Sequence, residues 1–307
     1  MQELTIGDTK VAVAQDTPFD VLGRITWYSV RKMRILHEDL DRILEKEGVP
    51  PNLRPRKTRD VDAFKSAVRS VEGKDYIVEN ETSVDPTTVR LKVDPRSMLV
   101  VSRVHDHVSD SLPVRVKATF TESKTIDFFG GDLAVHQRIE NEYADLRVTY
   151  RDEDIRTMAS RAIHAAYAVN VKQTGGVYFI PETFAPSVES VARVIDQLPG
   201  CEMVSLPVID REPERKTVLK QYEKATLERI GELMNMVKET VDKGEPIVPS
   251  IYARFADEVS YLTEQRTKYE AFLNTAIGKV EIEMEVLNSN LGKLASMIKE
   301  DKPAQSG

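Results

Sequence analysis

The chain has 307 residues, 41% apolar and 30% charged, with a formal charge of −7 at neutral pH. That length predicts about two domains, and the composition excludes a chain too polar to bury a core. No apolar run approaches the roughly 20 residues of a membrane span, and the N-terminus lacks a basic stretch followed by an apolar one. The one cysteine, Cys201, excludes an internal disulfide and fits a reducing compartment. The expectation is a cytoplasmic protein with no membrane partner.

Leu4 to Ala14 carries β-branched residues in partial alternation around Gly7-Asp8 and predicts a hairpin or edge strand. Gly23 to Val30 predicts a second strand, with Ile25, Trp27 and Ser29 on one face and Thr26, Tyr28 and Val30 on the other, because strand side chains alternate. Leu36, Leu40, Ile43 and Leu44 then recur at helical spacing until Gly48 and Pro50-Pro51. Asp60 opens a second amphipathic helix, with Val61, Phe64, Ala67, Val68 and Val71 on one side.

From Asp75 to Phe129 the β-branched content rises, and Asp85-Pro86, Asp94-Pro95 and Leu112-Pro113 mark turns between four or five antiparallel strands. Gly130-Gly131-Asp132 reads as a helix start. Helices over Leu133 to Val148 and Asp152 to Val169 follow, the second opened by Asp152-Glu153-Asp154, which suits a positive helix N-terminus. Thr174-Gly175-Gly176 is then a hairpin turn. Val177 to Ile180 is its outgoing strand, Pro186 to Leu198 a helix, and Met203 to Val208 a last strand. Residues 133–210 are expected to share the core of the preceding sheet.

The C-terminal third is helical. Glu214 to Asp242 carries a stripe of Leu219, Tyr222, Ile230, Leu233, Val237 and Val241. Beyond a connector from Gly244 to Pro249, a second stripe runs from Phe255 through Val259, Leu262, Arg266, Tyr269, Leu273 and Ala276. It goes on to Val280, Met284, Leu287, Leu291, Leu294 and Ile298, in steps of 4 and 3 with one extra 4 near Val280. That pattern predicts a coiled-coil seam with one stutter. Read as one helix, Ser250 to Glu300 outruns its partner. The oligomerisation residues are then Val280, Met284, Leu287, Leu291, Leu294 and Ile298, covered by a second copy of the chain.

Trp27-Tyr28-Ser29, Asp62-Ala63-Phe64 and Gly175-Gly176-Val177-Tyr178-Phe179-Ile180-Pro181 resemble, in order and surroundings, an uncharacterised family of phage, bacterial and archaeal proteins. The resemblance implies that residues 20–210 form one module, that the helical tail is an appendage, and that the chain is phage-encoded. It implies no activity.

Residues 21–70 hold 12 Lys and Arg against 7 Asp and Glu, the one basic stretch of an acidic chain. Trp27, Tyr28, Arg31, Lys32, Arg34, Arg54, Arg56, Lys57 and Arg59 are therefore the candidate nucleic-acid-binding residues, the rings stacking on bases and the cations meeting phosphates. The plainer reading makes Trp27 core and the cations solvated. His105 and His107 share a strand face, yet lack a third ligand at a recognised spacing, so no metal is expected. Gly175-Gly176 lacks both the Lys-Ser/Thr of a phosphate loop and the third glycine of a dinucleotide fingerprint. Cys201 reads as a small buried hydrophobe. With no nucleophile elbow, metalloprotease helix or kinase set, no catalytic residue and no cofactor is assigned.

The sequence therefore predicts an α+β head over residues 1–212, mostly antiparallel sheet with packed helices and a sub-boundary near residue 130. A long helical hairpin or coiled-coil tail over 213–300 and a disordered end over 301–307 complete it. The leading functional reading is a non-catalytic assembly or interaction protein that self-associates through its tail and binds another protein. The alternative is a nucleic-acid-binding protein of phage DNA metabolism, acting in the host cytoplasm through residues 24–69.

Overall fold

The computed structural model describes residues 2–6, 9–13, 20–84, 91–102, 114–172, 176–243 and 248–296. In chain order the elements are β1 (Gln2–Ile6), β2 (Thr9–Val13), β3 (Val21–Ser29), β4 (Arg34–Leu36), α1 (His37–Lys46) and α2 (Asp60–Arg69). Then come β5 (Tyr76–Val84), β6 (Leu91–Ser102), β7 (Val114–Phe120), β8 (Ile126–Phe129), α3 (Leu133–Val148), β9 (Thr149–Arg151) and α4 (Asp152–Ala165). The chain continues through β10 (Val169–Asn170), β11 (Tyr178–Pro181), α5 (Ala185–Ile195) and β12 (Glu202–Ile209). It ends in three helices, α6 (Glu212–Asp242), α7 (Pro249–Leu273) and α8 (Gly278–Ala295). Every strand pairing among the described residues is antiparallel, and the class is α+β, as the sequence predicts.

Two compact units result: unit one, Met1–Ser29 with Ala159–Gly307, and unit two, Val30–Met158. The division differs from a head over 1–212 and a separate tail, because the C-terminal helices share a core with strands of unit one. Leu22, Ile25, Val169, Phe179 and Val208 belong to the same apolar cluster as Tyr222, Ile230, Leu262, Tyr269 and Leu287.

In unit two, α2 and α3 pack together beside the sheet β5-β6-β7-β8. Asp60 and Asp62 in the first turn of α2 and Arg69 in its last complement the helix dipole, while Ala63, Phe64, Ala67 and Val68 are all buried. Phe64 stacks on Phe120 of β7 at 5.6 Å between centroids, and Tyr143 of α3 meets Phe120 edge-on. Asp132 caps α3 by accepting from the Val135 amide at 3.2 Å, so Gly130-Gly131-Asp132 is the helix start the sequence suggests. Gly130 is obligatory: its φ is +120°, and a Cβ there would lie 2.1 Å from the Arg115 carbonyl oxygen.

In unit one the strand order is β1-β2-β12-β3-β11-β10. Residues 169–209 thus join β3 in this sheet rather than the sheet of residues 76–129, correcting the expectation of a core shared with it. Val208 pairs with Gly23 and Ile209 with Val21, which leaves Leu22 as the extra residue of a bulge and puts it in the same cluster as Ile25. The Phe179 ring lies over Gly23, where a Cβ would come within 2.5 Å of it. Arg24 is bound by Glu182 and by Glu189 of α5. Cys201 is buried, as expected.

The predicted 51-residue arm is two helices. Asn274, with φ +50°, ends α7 in the left-handed conformation that Asn tolerates, and the Glu270 carboxylate accepts from the Ile277 amide at 3.0 Å. The extra step in the stripe falls at this break. α8 packs against α6 and α7, so Val280, Met284, Leu287, Leu291 and Leu294 are buried within the chain, while Ile298 lies outside the described residues. The stripe required a cover, as the sequence argues, and the chain's own helices supply it.

Candidate functional site

The candidate nucleic-acid residues fall in both units. Trp27 and Tyr28 belong to unit one, where Trp27 is half-buried against the apolar cluster. The seven cations belong to unit two, and several are held by carboxylates. Arg34 binds Glu142 and Asp145, Lys57 binds Asp41 at 3.1 Å, Arg59 binds Asp62 at 2.7 Å, and Arg54 donates to the Val49 carbonyl at 2.9 Å. Arg31, Lys32 and Arg56 are exposed. His105, His107, Gly175 and residues 301–307 lie outside the described residues. Among the described residues, no group of three His, Cys, Asp or Glu is arranged to hold a metal, and no helix is long and apolar enough to cross a membrane.

Two features of the surface were not read from the sequence. The first is an apolar end of unit two. Phe129, last residue of β8, is 80% exposed, and Leu133, first residue of α3, is 77% exposed; Val114, first residue of β7, is also exposed. Register brings them to one end of the sheet, since Lys117 pairs with Phe129 and the chain then turns at Gly130 beneath the Arg115 carbonyl. A hollow there is lined by Val114, Leu133, Asp75, Tyr76 and Asp132. The Tyr76 hydroxyl donates to Asp132 at 2.7 Å; that bond raises the tyrosine pKa and lowers the carboxylate's.

The second feature is a cleft of about 350 Å³ in unit one, between α4, the start of β10, α6 and α7. Its wall is built by α7 gripping the end of α4. The Tyr261 hydroxyl donates to the His164 carbonyl at 3.0 Å, and its ring stacks on the His164 imidazole at 3.9 Å. Gln265, 5% exposed, donates its amide NH₂ to the carbonyls of Tyr167 at 3.2 Å and Ala168 at 3.4 Å. These bonds satisfy carbonyls just beyond the helix end, where intrahelical partners run out. Tyr167 takes the left-handed φ of +52° at the turn. Its hydroxyl bonds the Glu264 carboxylate, chiefly for which its pKa is pushed up to about 12. Arg229 of α6 crosses to Glu258 of α7 at 2.8 Å and also binds Glu232 at 2.9 Å.

The signals for this cleft in the sequence are Thr226 of α6 and Gln265 of α7, polar residues in otherwise apolar stripes. The stripe reading chose Arg266 as the seam position, but Gln265 is the buried one, and Arg266 instead pairs with Glu281 of α8 at 3.3 Å. A polar residue in an apolar seam is the mark of such a site.

The family described as Family of unknown function (DUF6744) matches residues 21–300. The chain belongs to this family. The DUF6744 match runs through α6, α7 and α8, so the tail is no appendage to a module over 20–210. No curated protein and no solved structure matches the chain.

Proposed function

We propose that this DUF6744 chain is a non-catalytic interaction protein whose docking face is the apolar end of unit two. The exposure of Phe129 and Leu133 on either side of Gly130-Gly131 carries this reading. Large apolar side chains grouped on a surface favour cover by a protein partner, which gains by removing them from water. The carboxylates of Asp75 and Asp132 outnumber the one cation of the hollow, Arg115, which favours a protein partner over a phosphate backbone. Val280, Met284, Leu287, Leu291 and Leu294 are covered by α6 and α7, which weakens the case for self-association through that stripe and favours the apolar end of unit two as the assembly surface.

The test is a photo-crosslinking amino acid in place of Phe129, compared with one in place of the exposed Glu122, in the cell that makes the protein. A discrete protein adduct from position 129 and none from 122 is expected, the partner being a second copy or another chain. Equal adducts at both positions, or none at 129, would sink the proposal.

A further inference from the structure

In the sheet β5-β6-β7-β8, β8 is an outer strand that pairs with β7 alone among the described residues. The Thr121 amide donates to the Thr125 carbonyl at 3.0 Å, which marks Thr121 and Thr125, at the start of the β7-β8 ladder, as a hydrogen-bonded pair. Bonded and unbonded pairs alternate along an antiparallel ladder. Thr119 with Asp127 and Lys117 with Phe129 are therefore bonded pairs, and the amides and carbonyls of Ile126 and Phe128 point to the outer edge. Such an edge is a template for one more strand.

The side chains of β8 sort by face. Ile126 and Phe128 pack against the cluster that α2 and α3 build with the sheet, so alternation turns Asp127 and Phe129 to the opposite face. Both are exposed. A strand added to β8 sets two of its own residues, two positions apart, across from this pair. An apolar residue suits Phe129 and a cation suits Asp127, because cross-strand neighbours of those kinds stabilise a sheet while like charges repel. Lys117, across from Phe129 on β7, gives its ammonium to Glu81 at 2.7 Å.

The chain's own edge strands do not supply that partner. β1, β5, β8 and β10 carry no Lys or Arg, so a second copy joined through any of them leaves Asp127 without a cation. Of the edge strands, β4 alone has an arginine two residues from an apolar residue, and Arg34 is held by Glu142 and Asp145.

We propose that β8 takes, as a fifth strand, an extended segment of a different protein in which Lys or Arg stands two residues from a large apolar residue. This rests on the docking face proposed above and names the chemistry of its partner.

The test repeats the photo-crosslink from position 129 in the cell that makes the protein, with Asp127 in place, with Asp127→Lys and with Asp127→Glu, and maps the joined segment by mass spectrometry. The segment should belong to another protein and carry the stated pattern. Asp127→Lys should lower the adduct yield by about tenfold or more, and Asp127→Glu should keep it. Asp127→Asn, which should lower the yield in the same direction, serves if Asp127→Lys does not fold by circular dichroism. No adduct with Asp127 in place sinks the docking face itself. A yield undiminished by the folded Lys or Asn variant, an equal loss in Asp127→Glu, or a joined segment from a second copy or without the pattern overturns the added strand and leaves the docking face standing.

Discussion

Tyr269 of α7 is fully buried, stacked at 4.3 Å on Tyr222 of α6, and its hydroxyl has no hydrogen-bond partner among the described residues. Burial chiefly pushes its pKa well up, with Tyr222 and Tyr261 adding to the effect. A buried donor left unpaired costs about 1–3 kcal/mol, so Tyr269→Phe should keep the stack and raise stability, read as a higher urea midpoint with unchanged slope. A lower midpoint would mean the hydroxyl is satisfied after all. His37 of α1 gives the opposite kind of prediction. Its ring lies 4.4 Å from that of Tyr150, its Nε2 is buried without a partner among the described residues, and burial first, then Lys57, lowers its pKa. The Thr149 carbonyl, Asp41 and Asp154 pull the other way without prevailing. The folded imidazole thus resists a proton that the unfolded one accepts near its ordinary 6.5. This contribution to stability is present above that pH and is lost as pH falls through the lowered folded value. The urea midpoint should drop between pH 7.5 and 5.5, and His37→Gln should drop less; equal drops would remove His37 from the account.

At the scale of elements, α8 is where the sequence was read correctly in part. The stripe of Val280, Met284, Leu287, Leu291 and Leu294 was legible because period and burial are set by local pattern. What covers it was not, since that depended on a break at Asn274 that the steps of 4 and 3 run across almost unchanged. The α2 stripe, the four strands of unit two and the Asp132 start of α3 were legible for the same local reason, while of the α1 stripe Leu40 and Leu44 are buried and Leu36 instead ends β4, exposed. The partition of strands between two sheets was not, because β3 pairs with β11 and β12 across a long sequence gap. The cleft was hidden likewise, as its walls come from α4, α6 and α7. Because α8 completes a core that includes Tyr222, Ile230 and Tyr269, Leu287→Ala should cost about 2–5 kcal/mol. It should leave the mass in light scattering unchanged. A change of mass without loss of stability would restore the seam between chains.

For the whole molecule, a charge of −7 and the ion pairs of Arg34, Lys57 and Arg59 leave little to attract a polyanion. Nucleic acid should therefore bind more weakly than about 1 μM at physiological salt. Arg54→Ala with Arg56→Ala should not alter a mobility-shift titration. Submicromolar binding abolished by that pair would return the basic segment to first place.

The strand order of unit one also sets a clock. β3 is made early, yet its partners β11 and β12 begin at Tyr178 and Glu202, after all of unit two has been synthesised. At about 5–20 residues per second on the ribosome, β3 waits on the order of ten seconds or more for its neighbours, with Leu22, Ile25 and Trp27 still to be buried. Unit two, whose residues form one uninterrupted stretch, has its partners at hand as it emerges. The nascent chain is then most exposed to chaperones and to aggregation at its β3 segment, until Ile209 has left the tunnel.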